Sequence, residues 1–105
     1  MPPDLNLLRK IFHEKCYLFS AHASDRAAER GIFSKEIEEA VINGEVIEDY
    51  RNDKYGPSCL ILGKTDIGRI LHIQVSYPPK VKIVTLYEPS TDEWEADFKV
   101  RKPKT

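Results

Sequence analysis

One histidine and two arginines recur at four-residue intervals in the first third of the chain. His22, Arg26 and Arg30 stand at positions i, i+4 and i+8, so on a helix they form one stripe about two turns long. A histidine moves protons near neutral pH, and an arginine holds phosphate oxygens through a bidentate fork. The stripe therefore has the residue types needed to cleave a phosphodiester. Together with Asp25 and Glu29 it equally matches an ion-paired helix surface.

Two further candidates lie in the second half of the sequence. Alternation puts His72 and Gln74 on one face of a strand, and such a half-polar face is expected to be open to solvent or to line a groove. Tyr87 ends another candidate strand, on the face that alternation assigns to Ile83 and Thr85. Each also has a structural interpretation, as a satisfied strand histidine and as a tyrosine of the core or its rim.

The apolar spacing of the first 44 residues predicts three helices that would position the stripe. The first covers residues 4–15, and the second covers residues 21–30 with alanines 21, 23, 27 and 28 on its inner face. Residues 16–20 are a short strand or an extended link. The expected helix boundaries are Asp4 as the first N-cap, Gly31 at the end of the second helix, and Ser34 and Gly44 as the cap and close of the third.

After Gly44 the apolar period changes from 3.6 to 2, which predicts strands. They are residues 45–51, 57–64, 69–77 and 81–88. Their short connections indicate an antiparallel meander. A last helical turn is expected over residues 91–98, followed by a frayed basic tail over residues 99–105. The predicted fold is one α+β domain over residues 1–105, with two or three N-terminal helices packed on a four-stranded antiparallel β-meander.

The charge balance limits the classes of partner. The 105 residues hold 16 Lys and Arg against 17 Asp and Glu, for a net charge of −1, which argues against a broadly basic nucleic-acid coat protein. The charges are nevertheless segregated, with a net −5 over residues 34–53 and a net +3 over residues 54–88. The acidic stretch is either a solvated surface or an interface for a basic partner.

Metal, cofactor and membrane functions find no support in the sequence. Cys16 and Cys59 stand in apolar surroundings and are expected to be buried and reduced. No ligands follow zinc-like spacing, so neither a metal nor a cofactor is expected. The sequence has no evident signal peptide and no apolar run of about 20 residues, so a cytoplasmic protein is expected.

An ordered set of short motifs runs through most of the chain. They are Phe19-Ser-x-His22-Ala23-x-x-Arg26-x-x-x-Arg30-Gly31-Ile32, Ile37 to Gly44, Gly56-Pro57, Gly68-Arg69-x-Leu71-His72 and Ile83-Val-Thr-Leu-Tyr87. This set resembles the bacterial family called domain of unknown function 4258. The resemblance covers about residues 17–90 and leaves out the first helix and the segment around Trp94.

The resemblance implies a fold similar to that of the small toxin ribonucleases of the RelE and BrnT kind. Such proteins cleave RNA without a metal, because side chains assist attack of the 2′-hydroxyl on the adjacent phosphate. Carried onto this sequence, His22 or His72 acts as acid or base. The remaining roles are phosphate binding by Arg26, Arg30 and Arg69, and proton supply or base stacking by Tyr87.

Two functions are therefore expected from different classes. The first is a toxin-like, metal-independent endoribonuclease that acts on RNA and is silenced by a small antitoxin protein. The alternative is a catalytically inert protein-binding module of the same fold, whose interface is the acidic stretch.

Overall fold

The computed structural model describes residues 3–54 and 56–103. Over these residues the protein is an α+β fold with three α-helices and a five-stranded mixed sheet. The helices are α1 (Leu5–His13), α2 (Ala21–Arg30) and α3 (Ser34–Ile42). The strands are β1 (Leu18–Phe19), β2 (Glu45–Tyr50), β3 (Ser58–Lys64), β4 (Ile70–Ser76) and β5 (Lys82–Tyr87).

The helix boundaries follow local capping chemistry. Asp4 is the N-cap of α1 and accepts a first-turn amide, and Gly31 ends α2 with φ 63°, a left-handed conformation that glycine adopts without strain. Both were predicted. The prediction of Ser34 as a cap is wrong by one residue, because Phe33 is the N-cap. The Glu36 side chain accepts the Phe33 amide at 3.0 Å, which is the hydrogen bond that the N3 residue of a capping box forms with the N-cap.

The sheet has the order β1-β5-β4-β3-β2. The antiparallel meander from β2 to β5 is confirmed, and the turn between β3 and β4 is closed by Thr65 N–H donating to the Arg69 carbonyl at 2.8 Å. The expectation of four antiparallel strands is corrected by β1, which pairs in parallel with β5, Leu18 opposite Lys82. A two-residue strand is too short to show a period in the sequence.

All three helices contribute to one apolar core on one face of the sheet. In α2 only Ala23 and Ala27 are buried, while Ala21 and Ala28 are exposed, so the predicted inner face of α2 is narrower than expected. The reason is position, since α2 packs over β5 and β1 at the edge of the sheet. The core residues include Leu8, Phe12, Ile37, Val41, Ile61, Leu71, Ile73, Val75, Ile83 and Leu86.

A bulge in β5 determines what faces the other side of the sheet. The register shifts between Gln74 and Val75 of β4, and as a result Ile83 and Leu86 both join the helix-side core. Thr85 therefore lies opposite Gln74, and Tyr87 lies opposite His72. The expectation that Ile83, Thr85 and Tyr87 share one face is wrong for this reason.

The polar face of the sheet is covered by residues 89–103, which we call the C-terminal segment. Trp94 is 2% exposed, and its indole meets the His72 ring edge-on at 4.4 Å. The segment folds back on itself, as Glu95 N–H donates to the Val100 carbonyl at 2.8 Å. The face predicted to be open or to line a groove is therefore partly closed by the chain's own end.

Two expectations for this end of the chain are corrected. Residues 91–98 do not form a helix; the expected helical turn is limited to one α-turn at the start of this range, in which Trp94 N–H donates to the Ser90 carbonyl at 3.0 Å. The tail is not frayed over residues 99–102, because Lys102 N–H donates to the Glu93 carbonyl at 2.9 Å and Arg101 forms an ion pair with Glu48. Residues 104 and 105 lie outside the described residues.

Two further sequence-based expectations have outcomes in the structure. Cys59 is buried as expected, but Cys16 is exposed, because it follows the end of α1 at the surface. Within the described ranges, no helix is long and apolar enough to cross a membrane.

Candidate functional site

The predicted stripe on α2 does not act as one unit. His22 is exposed, and Arg26 pairs with Glu29 three residues along the same helix. Arg30 instead reaches toward the sheet, where its guanidinium donates to the Leu86 carbonyl at 2.6 Å. Arg26 thus matches the ion-paired helix surface, and Arg30 alone turns toward the end of β5.

The two candidate histidines lie on opposite sides of the sheet. His22 belongs to the helix layer, whereas His72 is fully buried and its ring lies against Trp94 of the C-terminal segment. One phosphate cannot be reached by both imidazoles through the sheet. The structure therefore does not bring these two predicted residues together.

Arg69 has a different setting from the one that phosphate binding requires. Its guanidinium donates to the Gly31 carbonyl at 3.0 Å and the Arg30 carbonyl at 2.9 Å, and it pairs with Glu36 and Glu88. The hydrogen bond that Arg69 donates to Glu88 raises the pKa of Arg69 further. Arg69 clamps the C-terminus of α2 to the start of β4, so its donors are already engaged.

His72 and Tyr87 form a directed pair. The His72 Nε2 lies 2.8 Å from the Phe98 carbonyl oxygen, which only accepts, so this nitrogen carries the proton. Nδ1 is then the acceptor for the Tyr87 hydroxyl at 3.3 Å. Burial lowers the pKa of His72 and raises that of Tyr87, so near pH 7 both the imidazole and the phenol are neutral.

A cavity of about 520 Å³ opens between the C-terminus of α2, the end of β5 and the C-terminal segment. It is lined by Arg30, Tyr87, Glu88, Ser90, Glu93, Trp94 and Arg101, and the Glu88 carboxylate is already paired with Arg69. Two of the predicted site residues, Arg30 and Tyr87, therefore line the cavity directly. His72 does not line it, but its Nδ1 accepts a hydrogen bond from the Tyr87 hydroxyl. Ser90, Glu93, Trp94 and Arg101 were not predicted as site residues, because the segment that carries them has no apolar period.

The charged groups of the cavity differ in how far they are already paired. Arg101 contacts both oxygens of the Glu48 carboxylate, at 2.9 and 3.1 Å, and lies 4.6 Å from the centre of the Trp94 ring. Among the described residues, neither Arg30 nor Glu93 belongs to an ion pair. Arg30 is therefore the cation, and Glu93 the carboxylate, that the cavity can offer to a ligand.

These groups can hold an anion and move protons beside it. An unpaired guanidinium, a carboxylate, a phenol and the Ser90 hydroxyl converge on one polar cavity. Over residues 3–54 and 56–103, no group of three or more His, Cys, Asp and Glu side chains is arranged to hold a metal ion.

Comparison with known proteins gives a family and no closer relative. No curated protein and no solved structure matches the chain. A family model matches residues 19–88, about two thirds of the chain. Helix α1 and the C-terminal segment lie outside the match, so the cavity joins family residues to residues beyond them. The protein belongs to the family described as domain of unknown function (DUF4258).

Proposed function

We propose that the cavity at the end of α2 cleaves RNA without a metal ion, as a toxin-like endoribonuclease. The observation that carries this proposal is the convergence of Arg30, Tyr87 and Glu93 on one cavity of about 520 Å³. Cleavage next to a 2′-hydroxyl needs a cation for the phosphate, a base for the hydroxyl and an acid for the leaving oxygen. These three residues supply one of each.

Arg30 is the phosphate-binding residue in this proposal. Its Nη1 is held by the Leu86 carbonyl at 2.6 Å, which fixes the side chain and leaves its remaining donors for non-bridging phosphate oxygens. Negative charge grows on these oxygens as the 2′-oxygen attacks. A preorganised guanidinium stabilises that charge more in the transition state than in the ground state.

Glu93 and Tyr87 are the proton carriers. Glu93 takes the proton of the 2′-hydroxyl as its oxygen bonds to phosphorus. The bond from phosphorus to the 5′-oxygen breaks, and that oxygen takes the phenol proton of Tyr87. Burial raises the pKa of Tyr87, so the phenol is protonated at neutral pH, as an acid must be. The products are a 2′,3′-cyclic phosphate and a 5′-hydroxyl.

His72 is a positioning residue for Tyr87. The imidazole is buried and does not reach a substrate, but its Nδ1 accepts the Tyr87 hydroxyl and keeps the phenol directed along the cavity wall. At 3.3 Å this hydrogen bond is longer than usual, so the hydroxyl can turn to a leaving oxygen. His22, Arg26 and Arg69, which the resemblance also suggested, have no part in this mechanism.

A matched pair of arginines on one helix tests the proposal. The substrate is a DNA oligonucleotide with a single ribonucleotide, a fluorophore and a quencher, incubated in EDTA. We expect Arg30→Ala to lower kcat/KM about 10²–10³-fold, as loss of one oxyanion donor does. Arg26→Ala removes the same charge one turn away and should change kcat/KM less than about twofold.

Three outcomes would contradict the proposal. The first is no cleavage by the wild-type protein, and the second is equal cleavage by wild type and Arg30→Ala, which indicates a contaminating nuclease. The third is cleavage of the all-DNA oligonucleotide, which has no 2′-hydroxyl. In cells, expression should arrest growth, and Arg30→Ala should relieve that arrest. A small antitoxin protein is the expected partner, and the cytoplasm is the expected site of action.

The second candidate is a catalytically inert protein-binding module. Its acidic-stretch interface is disfavoured, because five of the seven carboxylates over residues 34–53 are already in ion pairs. A different observation favours the module, since Phe33 is 72% and Ile67 is 87% exposed, each within three residues in sequence of one partner of the Glu36–Arg69 ion pair. Growth arrest that Phe33→Ser and Ile67→Ser relieve, and Arg30→Ala does not, would favour this function.

A further inference from the structure

A second depression lies beside the cavity on the polar face of the sheet. It measures about 470 Å³, and it is lined by Tyr50, Asp53, Gln74 and Arg101. Arg101 lines both spaces, so they adjoin across one guanidinium. We propose that this second depression binds a nucleobase and prefers guanine. This inference rests on the proposed RNA cleavage, and it identifies the nucleotide that the site selects.

The charge of the depression points to a base and not to a second phosphate. Among the described residues, Asp53 has no ion pair, and the positive charge of Arg101 is already engaged by Glu48. The free charge is therefore a carboxylate, which repels a phosphate. A ligand group that donates hydrogen bonds fits this space instead.

The hydrogen-bonding pattern selects among the bases. Gln74 is oriented by its Nε2, which donates to Ser58 Oγ at 3.0 Å, so its carboxamide oxygen stays an acceptor, and the Asp53 carboxylate lines the same depression. Guanine places an imino N–H and an amino group side by side on its Watson–Crick edge, and a carboxylate accepts both. Adenine and cytosine have one amino group on that edge, and uracil has one imino group.

Tyr50 provides an aromatic wall for such a base. Its hydroxyl is engaged by Glu48 and by Arg101, and the side chain is half-buried. A ring fixed in this way can stack on a base with little further loss of conformational freedom. The cavity and the second depression together then bind one nucleotide unit of RNA. Its phosphate lies at Arg30, and its guanine lies in the second depression, on the other side of Arg101.

Single-ribonucleotide oligonucleotides with each of the four bases on either side of the cleaved bond test the proposal. We expect guanine to be preferred by about 10-fold or more in kcat/KM at one of the two positions. Inosine lacks the amino group and should lose most of that preference. Asp53→Asn should bring guanine down to the level of adenine. Asp25→Asn makes the same charge change on the exposed side of α2 and should keep the preference.

A binding measurement separates failure of the subsite from failure of the proposed function. Guanosine and adenosine 3′-monophosphate are titrated into the ¹⁵N-labelled protein while the Gln74 side-chain amide signal is followed. A shift with the guanosine nucleotide that Asp53→Asn abolishes supports the subsite even without cleavage. Equal cleavage at all four bases, or no shift of the Gln74 signal with either nucleotide, would overturn it. In the first of these cases the ribonuclease proposal would stand.

Discussion

The two faces of the sheet are built on different physical principles. The helix face buries a continuous set of aliphatic side chains against α1, α2 and α3. The polar face carries His72, Gln74, Thr85 and Tyr87, and hydrogen bonds, an ion pair and the Trp94 indole join this face to the C-terminal segment. The first face specifies the fold, and the second gathers the groups that can carry out chemistry.

The two faces of the sheet also differ in how much of their surroundings the family match covers. The matched residues 19–88 include the whole sheet from Phe19 onward, but the polar face is covered by residues beyond the match. In this protein the cavity takes Arg30 and Tyr87 from the family domain, and Ser90 and Glu93 from the C-terminal segment. A shared scaffold thus combines with residues that the family model does not describe.

The largest expected effect tests whether the C-terminal segment is part of the folded unit. Trp94→Ala removes a 2% exposed indole and should lower the free energy of unfolding by about 3–5 kcal/mol, measured by urea denaturation. Val100→Ala, in the same segment at a side chain that is 58% exposed, should change it by less than about 0.5 kcal/mol. A loss below about 1 kcal/mol for Trp94→Ala would mean that the segment is only loosely attached.

A smaller effect concerns the pH dependence of stability. Burial lowers the pKa of His72 from its usual 6.5, so the unfolded chain binds a proton below that pH before the folded protein does. Stability is therefore complete above about pH 6.5 and falls as the pH drops, by at most about 1.4 kcal/mol per pH unit. The measurement is the free energy of unfolding between pH 5 and pH 7.5.

Two variants assign this dependence to His72. His72→Gln should flatten the stability curve in that range, whereas Tyr87→Phe keeps the imidazole and should keep the slope. The ion-paired carboxylates, whose pKa values lie below 4.5, act at lower pH and do not interfere. An unchanged slope in His72→Gln would show that another group is responsible.

The smallest effect is expected on the outer surface of α2. Arg26 and Glu29 form a partly exposed i, i+3 pair, and Arg26→Ala should lower the free energy of unfolding by no more than about 0.5 kcal/mol. Urea denaturation of this variant checks that surface. A loss above about 1 kcal/mol would give the outer face of α2 a structural role that its contacts do not explain.

Most of the helix face could be predicted from the sequence, because periodicity is a local property. The caps Asp4 and Gly31 and the positions of β2 to β5 follow from spacing and turn residues. Strand β1 could not be predicted as a parallel partner, since its two residues pair with a strand more than 60 positions away. The α+β class could therefore be predicted from the sequence, but the parallel strand that makes the sheet mixed could not.

The polar face was harder to predict, because one bulge and one aperiodic segment determine it. The bulge in β5 separates Ile83 from Tyr87 and places the phenol against His72. The place of Glu93 in the cavity depends on the tertiary contact between Trp94 and the His72 imidazole, which the sequence pattern does not indicate. Residue types pointed to Arg30 and Tyr87, which line the cavity, while the tertiary structure determined which arginine of the stripe lies there.

The burial of Trp94 has one practical consequence. It is the only tryptophan of the chain, and its ring forms part of the cavity wall, between the His72 imidazole and the Arg101 guanidinium. The intrinsic emission of the protein therefore originates at the candidate site. Entry of any ligand changes the polarity and the charge around the indole, so a plain fluorescence titration can screen nucleotides, oligonucleotides and partner proteins without a label.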